Sequence, residues 1–331
     1  MSFYLHGLGH FHPENEITNQ FLAELDIGTN EEWIAERVGI RSRRTVLPLD
    51  YIRETKNVDH RHALEAALYR HADTGKRAAV MALERAGIEE SDIGMVIDGG
   101  CYPDNMSPAD ACEIAAALEI EAPACDLNSA CTSFHVALDM LSMMRPEALP
   151  EYVLLVTPES LTTAVDYTDR AGAVLWGDGT TAAVVSTKVP SRIEIIGNSF
   201  RSSPAGWNKV VVPHFQHFWQ EGRTVQMFAI KKTIAIFRHL QETFASAGRT
   251  LNFVGHQANL KMLEAVCARC DIDEARHHHN VIDFGNTGAA GAPSVVSMRW
   301  DEWGDTDDVA VIGVGSGLTW SAHLLRFGGA A

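Results

Sequence analysis

An α/β fold made of two halves of similar order is what this sequence predicts. Segments with apolar residues at helical spacing alternate with short runs of Val, Ile and Leu, and that alternation runs through the chain twice. Quantity is the third observation: of 331 residues, 46% are hydrophobic and 21% charged, ample material for a large buried core.

The first clear unit starts near residue 74. TGKRAAVMALERAG carries Ala and Leu at helical spacing, Gly87 stops it, and IGMVIDGGC reads as a short buried strand. A turn at Pro108 leads into the helix ADACEIAAALEI. Cys131 then opens the helix TSFHVALDMLSMM, and EYVLLVTPES is the next strand. The second pass begins at SRIEIIGNSF. It continues through a helix around VQMFAIKKTIAIFRHLQETFASAG, the strand LNFVGHQAN and the helix LKMLEAVCARC, and ends in VAVIGVGSGLTWSAHLLRF. The halves are expected to divide as 1–186, carrying the nucleophilic Cys, and 187–331, carrying His and Asn. No short period recurs and no segment is low in complexity, which argues against a solenoid.

No stretch approaches the roughly 20 uninterrupted apolar residues of a membrane helix, and MSFYLHGLGHFHPEN lacks a basic region ahead of an apolar run. A cytoplasmic protein is expected. The formal net charge of -16, from 27 Lys plus Arg against 43 Asp plus Glu, opposes binding to nucleic acid or anionic lipid. An anionic ligand must therefore meet a local basic patch. The six cysteines, Cys101, Cys112, Cys125, Cys131, Cys267 and Cys270, sit mostly in apolar segments, which predicts free thiols in a reducing compartment.

Cys131 follows small and polar residues in DLNSACTSFHVALDML and directly precedes a helix, at the end where a thiolate is stabilised. Alone it reads as a buried structural cysteine, as free cysteines usually are. The second half of the chain decides otherwise. GHQAN presents His256 at the end of an apolar strand, a place for a proton acceptor or hydrogen-bonding partner. VIDFGNTGAAGAPS puts Asn286 before small residues that let backbone approach closely. GVGSGLTW is a Gly-rich turn able to offer backbone N–H groups to an oxyanion.

Other groups are read as structural. Cys267 and Cys270 form CARC, with His277, His278 and His279 following, but the cysteines continue an amphipathic helix and no second pair lies about a dozen residues away. The three histidines are expected in an exposed turn. His214 and His217 lie among aromatics and read as packing residues, with a flap over the site as the alternative. His135 reads as a helix-face residue.

The segments SACTSF, GHQAN, GNTGAAGAP and GSGLTW, in this order and at these distances, resemble the ketoacyl synthase III family of the thiolase superfamily. WIAERVGIRSRR, YPDNMSPADA and WGDGTTAAVV resemble further motifs of that family, so the resemblance spans essentially the whole chain. It implies a thiolase-like five-layer αβαβα fold made of two pseudo-duplicated halves, a homodimer, and a Cys-His-Asn triad. On this chain Cys131 would take an acyl group from an acyl-CoA or acyl carrier protein thioester. His256 and Asn286 would hold the thioester carbonyl of a malonyl-type or β-ketoacyl extender, and the carbanion left by decarboxylation would attack the acyl-cysteine.

Those residue types suit that chemistry, because a neutral imidazole and an amide can stabilise a developing enolate oxygen without adding formal charge. The backbone N–H groups of Cys131 and Ser316 would form the oxyanion hole of the acyl step. The family usually has glycine where Ser316 stands, which takes space above Cys131, and smaller residues where GDGTTAA stands. By the same resemblance Trp33 and Arg37 flank the entrance, Lys261 contacts an acyl carrier protein, and Ser107 reaches across the dimer to cap the partner's acyl tunnel. No cofactor and no metal are implied. The expected activity is a β-ketoacyl synthase III-type condensation in fatty acid or polyketide biosynthesis. Alternatives are a chain-joining ketosynthase of two long β-ketoacyl chains, acyl transfer to a hydroxyl or amine, or a catalytically silent partner subunit.

Overall fold

Alternating apolar runs of the predicted kind form a single continuous sheet. The computed structural model describes residues 3–213 and 216–329. The first part of the chain contributes β1 (Tyr4–Phe11), β2 (Ile93–Asp98), β3 (Ala124–Asp126), β4 (Tyr152–Glu159) and β5 (Gly179–Ser186). The second contributes β6 (Ile193–Ser202), β7 (Thr250–Val254), β8 (Asp307–Gly315) and β9 (Thr319–Phe327). Their order across the sheet is β7-β8-β9-β6-β1-β5-β4-β2-β3.

The duplication lies in the direction of pairing. β1 pairs antiparallel with β5, which pairs antiparallel with β4, which pairs parallel with β2. In the second half β6 pairs antiparallel with β9, which pairs antiparallel with β8, which pairs parallel with β7. Each half thus places its first strand beside its last. β3 extends the first half by one parallel strand. The halves meet through a short antiparallel seam, Tyr4 opposite Glu194 and Leu5 opposite Ile193.

Seven helices of eight residues or more cover the sheet among the described residues: α1 (Glu31–Val38), α2 (His71–Ala86), α3 (Asp110–Ala117), α4 (Ser133–Met143), α5 (Gly222–Phe244), α6 (Leu260–Cys270) and α7 (Gly291–Met298). α4 touches β4 of the first half and both β6 and β9 of the second, and α7 touches β1, β5, β7 and β8. These two helices form the middle layer. α7 buries every residue from Gly291 to Ser297, as a helix enclosed between the two halves of the sheet must. α2 covers the outer face of the first half and packs on α3, while α5 covers the second and packs on α6. The result is the five-layer αβαβα fold.

β4 and β5 lie inside the sheet and are buried from Val153 to Glu159 and from Gly179 to Ser186, which explains their continuous apolar or small-residue runs. The packing of α2 on β1 depends on two glycines. A Cβ at Gly7 would lie 1.9 Å from the Ala82 carbonyl oxygen and one at Gly9 2.0 Å from that of Ala78, so only glycine admits the helix at this distance. The final predicted run, VAVIGVGSGLTWSAHLLRF, is two antiparallel strands, β8 and β9, joined by a turn at Ser316–Leu318 where Gly317 has φ +75°.

Candidate active site

Cys131 sits on a sharp turn between β3 and α4. Ala130 just before it has φ +50°, a left-handed conformation that costs a non-glycine residue about 1–2 kcal/mol. Local bonds hold the turn: Ala130 N donates to Asn128 Oδ1 at 2.9 Å, Ser129 N to Ser133 Oγ at 2.8 Å, and Ser133 Oγ to the Ala130 carbonyl at 2.7 Å. The adjacent Thr132 hydroxyl lies 2.8 Å from that of Thr319, tying the turn to the second half. There β8 ends against it, since a Cβ on Gly315 would lie 3.1 Å from Cys131 N. The end of β8 in the second half therefore lies directly against the cysteine turn of the first.

His256 follows β7 and Asn286 follows a short helix, Val281–Phe284, that stops at Gly285 with φ +68°. Both side chains are buried. Asn286 is fixed at each end: its backbone N donates to the Leu175 carbonyl at 2.9 Å, and its Oδ1 accepts from Gly288 N at 3.1 Å. The Oδ1 bond leaves the NH2 group as the end available to a ligand.

Six of the eight sequence-predicted residues, Cys131, His256, Asn286, Ser316, Trp33 and Arg37, line one cavity of about 740 Å³. Trp33 and Arg37 lie on α1, whose N-cap Asn30 accepts from Trp33 N at 2.8 Å. Ser316 spends its hydroxyl on the Val210 carbonyl at 2.5 Å. Lys261 and Ser107 are outside the lining. Lys261 is exposed on α6 and paired with Glu264 at 3.1 Å, and Ser107 is exposed before α3.

Electrostatics correct one expectation. Burial first, then the Glu159 carboxylate, push the Cys131 thiol up to about 12, instead of the lowered value expected at a helix end. A helix terminus supplies roughly 0.3–1 kcal/mol, less than a tenfold change in ionisation. Burial wins, and the resting group is the thiol. Burial also takes His256 down to about 4, so its imidazole is neutral at physiological pH.

Sequence reasoning missed Glu159 and Arg170. Glu159, at the buried carboxyl end of β4, accepts from the Cys101 thiol at 2.9 Å and from Ala289 N at 2.8 Å, and burial raises it to about 7. The available signal was a lone carboxylate closing the apolar run EYVLLVTPE. Arg170 lines the cavity with its guanidinium 4.8 Å from the Trp33 ring centre, and Arg223 adds a third cation beside Arg37 and Arg170. Neither stands in a periodic pattern that would have singled it out.

Two further expectations change. His277–His279 are half-buried, not an exposed turn: His277 stacks on Phe253 at 5.6 Å, and His278 Nε2 lies 3.0 Å from Asn252 Oδ1. His135 is fully buried in the middle layer, its ring parallel to that of His323 with Nδ1 atoms 3.1 Å apart. His217 Nε2 lies 2.7 Å from the Asn57 carbonyl oxygen, a donor bond to the backbone, and His214 lies outside the described residues. Cys267 and Cys270 both belong to α6.

A doubled sheet with a shared helical layer and a cysteine turn facing an imidazole and an amide defines the class, the thiolase-fold enzymes of acyl transfer. Family models for 3-oxoacyl-[acyl-carrier-protein] synthase III and for its C-terminal part match residues 125–204 and 250–327. The β-ketoacyl-[acyl-carrier-protein] synthase III of Oceanobacillus iheyensis is 31% identical over 326 residues, covering 97% of this chain and 98% of that protein. The crystal structure of 3-oxoacyl-[acyl-carrier-protein] synthase III from Aquifex aeolicus matches with a TM-score of 0.86 at 26% identity, over 98% of this chain and 100% of that one. The priming β-ketosynthase of the R1128 polyketide pathway matches at 0.82 and 27%, over 98% and 96%. The chain belongs to the β-ketoacyl-[acyl-carrier-protein] synthase III family.

Proposed function

We propose that this protein catalyses the decarboxylative Claisen condensation of an acyl thioester, acyl-CoA or acyl carrier protein, with a malonyl-type thioester through an acyl-Cys131 intermediate. The observation that carries the reading is the convergence of Cys131, His256, Asn286 and the Gly315–Ser316 turn on one cavity. Cys131 Sγ attacks the thioester carbonyl, and its proton leaves with the departing thiol. The tetrahedral oxyanion accepts from the backbone N–H groups of Cys131 and Ser316. The extender then loses carbon dioxide. The negative charge passes to its thioester oxygen, which accepts from neutral His256 and the Asn286 NH2. Its α-carbon attacks the acyl-Cys131 carbonyl, the product leaves, and the sulfur regains a proton from solvent.

The cations Arg37, Arg170 and Arg223, with the Trp33 ring, support binding of an anionic phosphate-bearing arm at the mouth, the local basic patch that an acidic chain needs. Lys261 on the exposed face of α6 suits a carrier-protein contact. A homodimer is supported by β3, which is an edge strand with Cys125 and Asp126 exposed, and by exposed Met106 beside Ser107. In that dimer Ser107 would cap the partner's tunnel. A boundary between residues 186 and 187 fits the end of β5 at Ser186. No described helix is long and apolar enough to cross a membrane, and free cysteines support a cytoplasmic, reducing location.

Intact mass after exposure to a panel of acyl thioesters tests the activity. One acyl adduct, mapped to Cys131, is expected, and a native protein that stays unlabelled at Cys131 would sink the reading. Sedimentation of the full chain tests the dimer, which a monomer would refute.

A further inference from the structure

We propose, on the acyl-transfer reading above, that the Ser316 hydroxyl is a positioning group. It ties the cavity wall that meets a substrate's phosphate-bearing arm to the turn that serves the acyl oxyanion, so that seating the arm also holds the turn.

The contacts run without a break from the cysteine turn to the mouth. The Thr132 hydroxyl lies 2.8 Å from that of Thr319, which lies 3.1 Å from the Ser316 carbonyl oxygen. Ser316 Oγ donates to the Val210 carbonyl at 2.5 Å. Val210 and Val211 pair antiparallel with Gln220 and Trp219 in a short hairpin. Beyond it Glu221 N donates to the Lys209 carbonyl at 2.9 Å, the Lys209 and Glu221 side chains form an ion pair, and the Glu221 carboxylate accepts from the Thr224 hydroxyl in the first turn of α5. Val210, Gln220, Arg223 and Ser316 all line the cavity.

The same turn grips the start of that segment. The Leu318 carbonyl accepts from Ser203 N at 2.9 Å, and the Leu318 side chain fills the space at Gly206, where a Cβ would lie 2.1 Å from its Cδ1. Neither partner is rigid by itself. A hairpin of two residues per strand is marginal in water, and it leans on the Phe218 N bond to the Ala164 carbonyl and on Ser316. The turn holds Leu318 at φ +49°, which a leucine keeps only when its surroundings impose it. An arm seated against Arg223 and Gln220 orders the hairpin, and the Ser316 hydroxyl passes that order to the turn. Binding energy from a remote part of the substrate then appears in the rate of acylation rather than in affinity alone. Removing the hydroxyl leaves the backbone donor in place and cuts the tie.

The test compares the maximal rate of acyl-Cys131 formation, followed by intact mass, in wild type, Ser316→Ala and Ser316→Gly. Two thioesters of one acyl group are used: acyl-CoA, and acyl-N-acetylcysteamine, which lacks the phosphates. The wild type should react faster with acyl-CoA. In both variants that advantage should shrink by about 2–10-fold, the worth of one net hydrogen bond, with little change in acyl-CoA affinity. An equal fall with both thioesters would mean structural damage, and a loss confined to Ser316→Gly would mean that space above Cys131 matters; each overturns the coupling. Amide hydrogen exchange without substrate reads the tie directly. Peptides carrying 209–211 and 219–221 should exchange faster in Ser316→Ala than in wild type, and unchanged exchange overturns the tie. A wild type that takes no acyl group on Cys131 would instead sink the acyl-transfer reading and the coupling with it, a result distinct from failure of the exchange experiment.

Discussion

Asn286 offers a direct test because its Oδ1 is already committed to Gly288 N, leaving the NH2 to serve a ligand. In Asn286→Asp the bond to Gly288 survives and the donor is lost. Carbon dioxide release from a malonyl thioester should fall by about 10²–10³ or more, since a carboxylate beside a developing enolate is also repulsive, while acyl-enzyme formation by mass should persist. Wild-type release above neutral pH would make Asn286 structural. Cys131→Ala should abolish acylation, whereas His256→Ala and Asn286→Ala should acylate yet fail to decarboxylate. The same loss of acylation in all three would contradict this division. With the Cys131 thiol at about 12, its thiolate fraction grows with pH throughout the working range, so alkylation by iodoacetamide should rise about tenfold per unit between roughly pH 7 and 9 without a plateau. A plateau near neutral pH would mean that the helix end outweighs burial. His256, at about 4, is neutral above about pH 5, so the rate of decarboxylation should show no histidine ionisation between about pH 5.5 and 8.

Among elements, the WGDGTTAA segment now has a physical reading. Asp178 is buried and accepts from Val46 N and Thr162 N, each at 2.8 Å, and from the Thr162 hydroxyl, joining the approach to β5 with the segments after Thr45 and after β4. Removing it orphans buried donors, so Asp178→Ala should cost about 3–5 kcal/mol in urea unfolding, and Asp178→Asn, which keeps an acceptor, should cost less. Equal losses would show that geometry, not hydrogen bonding, is at stake. Elements were legible where the signal was local. α2, α4 and α6 follow apolar periodicity, and β4 is a long apolar run, whereas β5 entered only through the resemblance of WGDGTTAAVV. Cys131, His256 and Asn286 could be read because each adjoins an apolar run in a short motif: Cys131 just ahead of α4, His256 after β7 and Asn286 after the run VIDF. Arg170, Glu159 and the fate of His135 could not, since they depend on which distant segment packs against them: Trp33, Cys101 and His323 lie far away in sequence. The ionisation of Cys131 was misread for the same reason, as burial and Glu159 come from tertiary packing.

At the scale of the whole molecule, the doubled order of strands was legible as two passes of one alternation, but not the narrowness of their joint. Among the described residues Tyr4 and Leu5 pair across it, with Glu194 and Ile193, beside one further bond from Ile195 N to the Phe3 carbonyl. The adhesion lies elsewhere, in α4 and α7, whose apolar faces touch both halves at once. Neither half can keep its inner face dry alone. A chain that looks like two repeats should therefore melt as one: a single transition by calorimetry, with calorimetric and van't Hoff enthalpies in agreement and circular dichroism and tryptophan fluorescence superimposed. Two resolved steps would show that the halves hold separate stability. If they melt as one, a cut between residues 186 and 187 yields two insoluble fragments when each is expressed alone, and the proposed Cys131 and its partners His256 and Asn286 return to function only when both are refolded together.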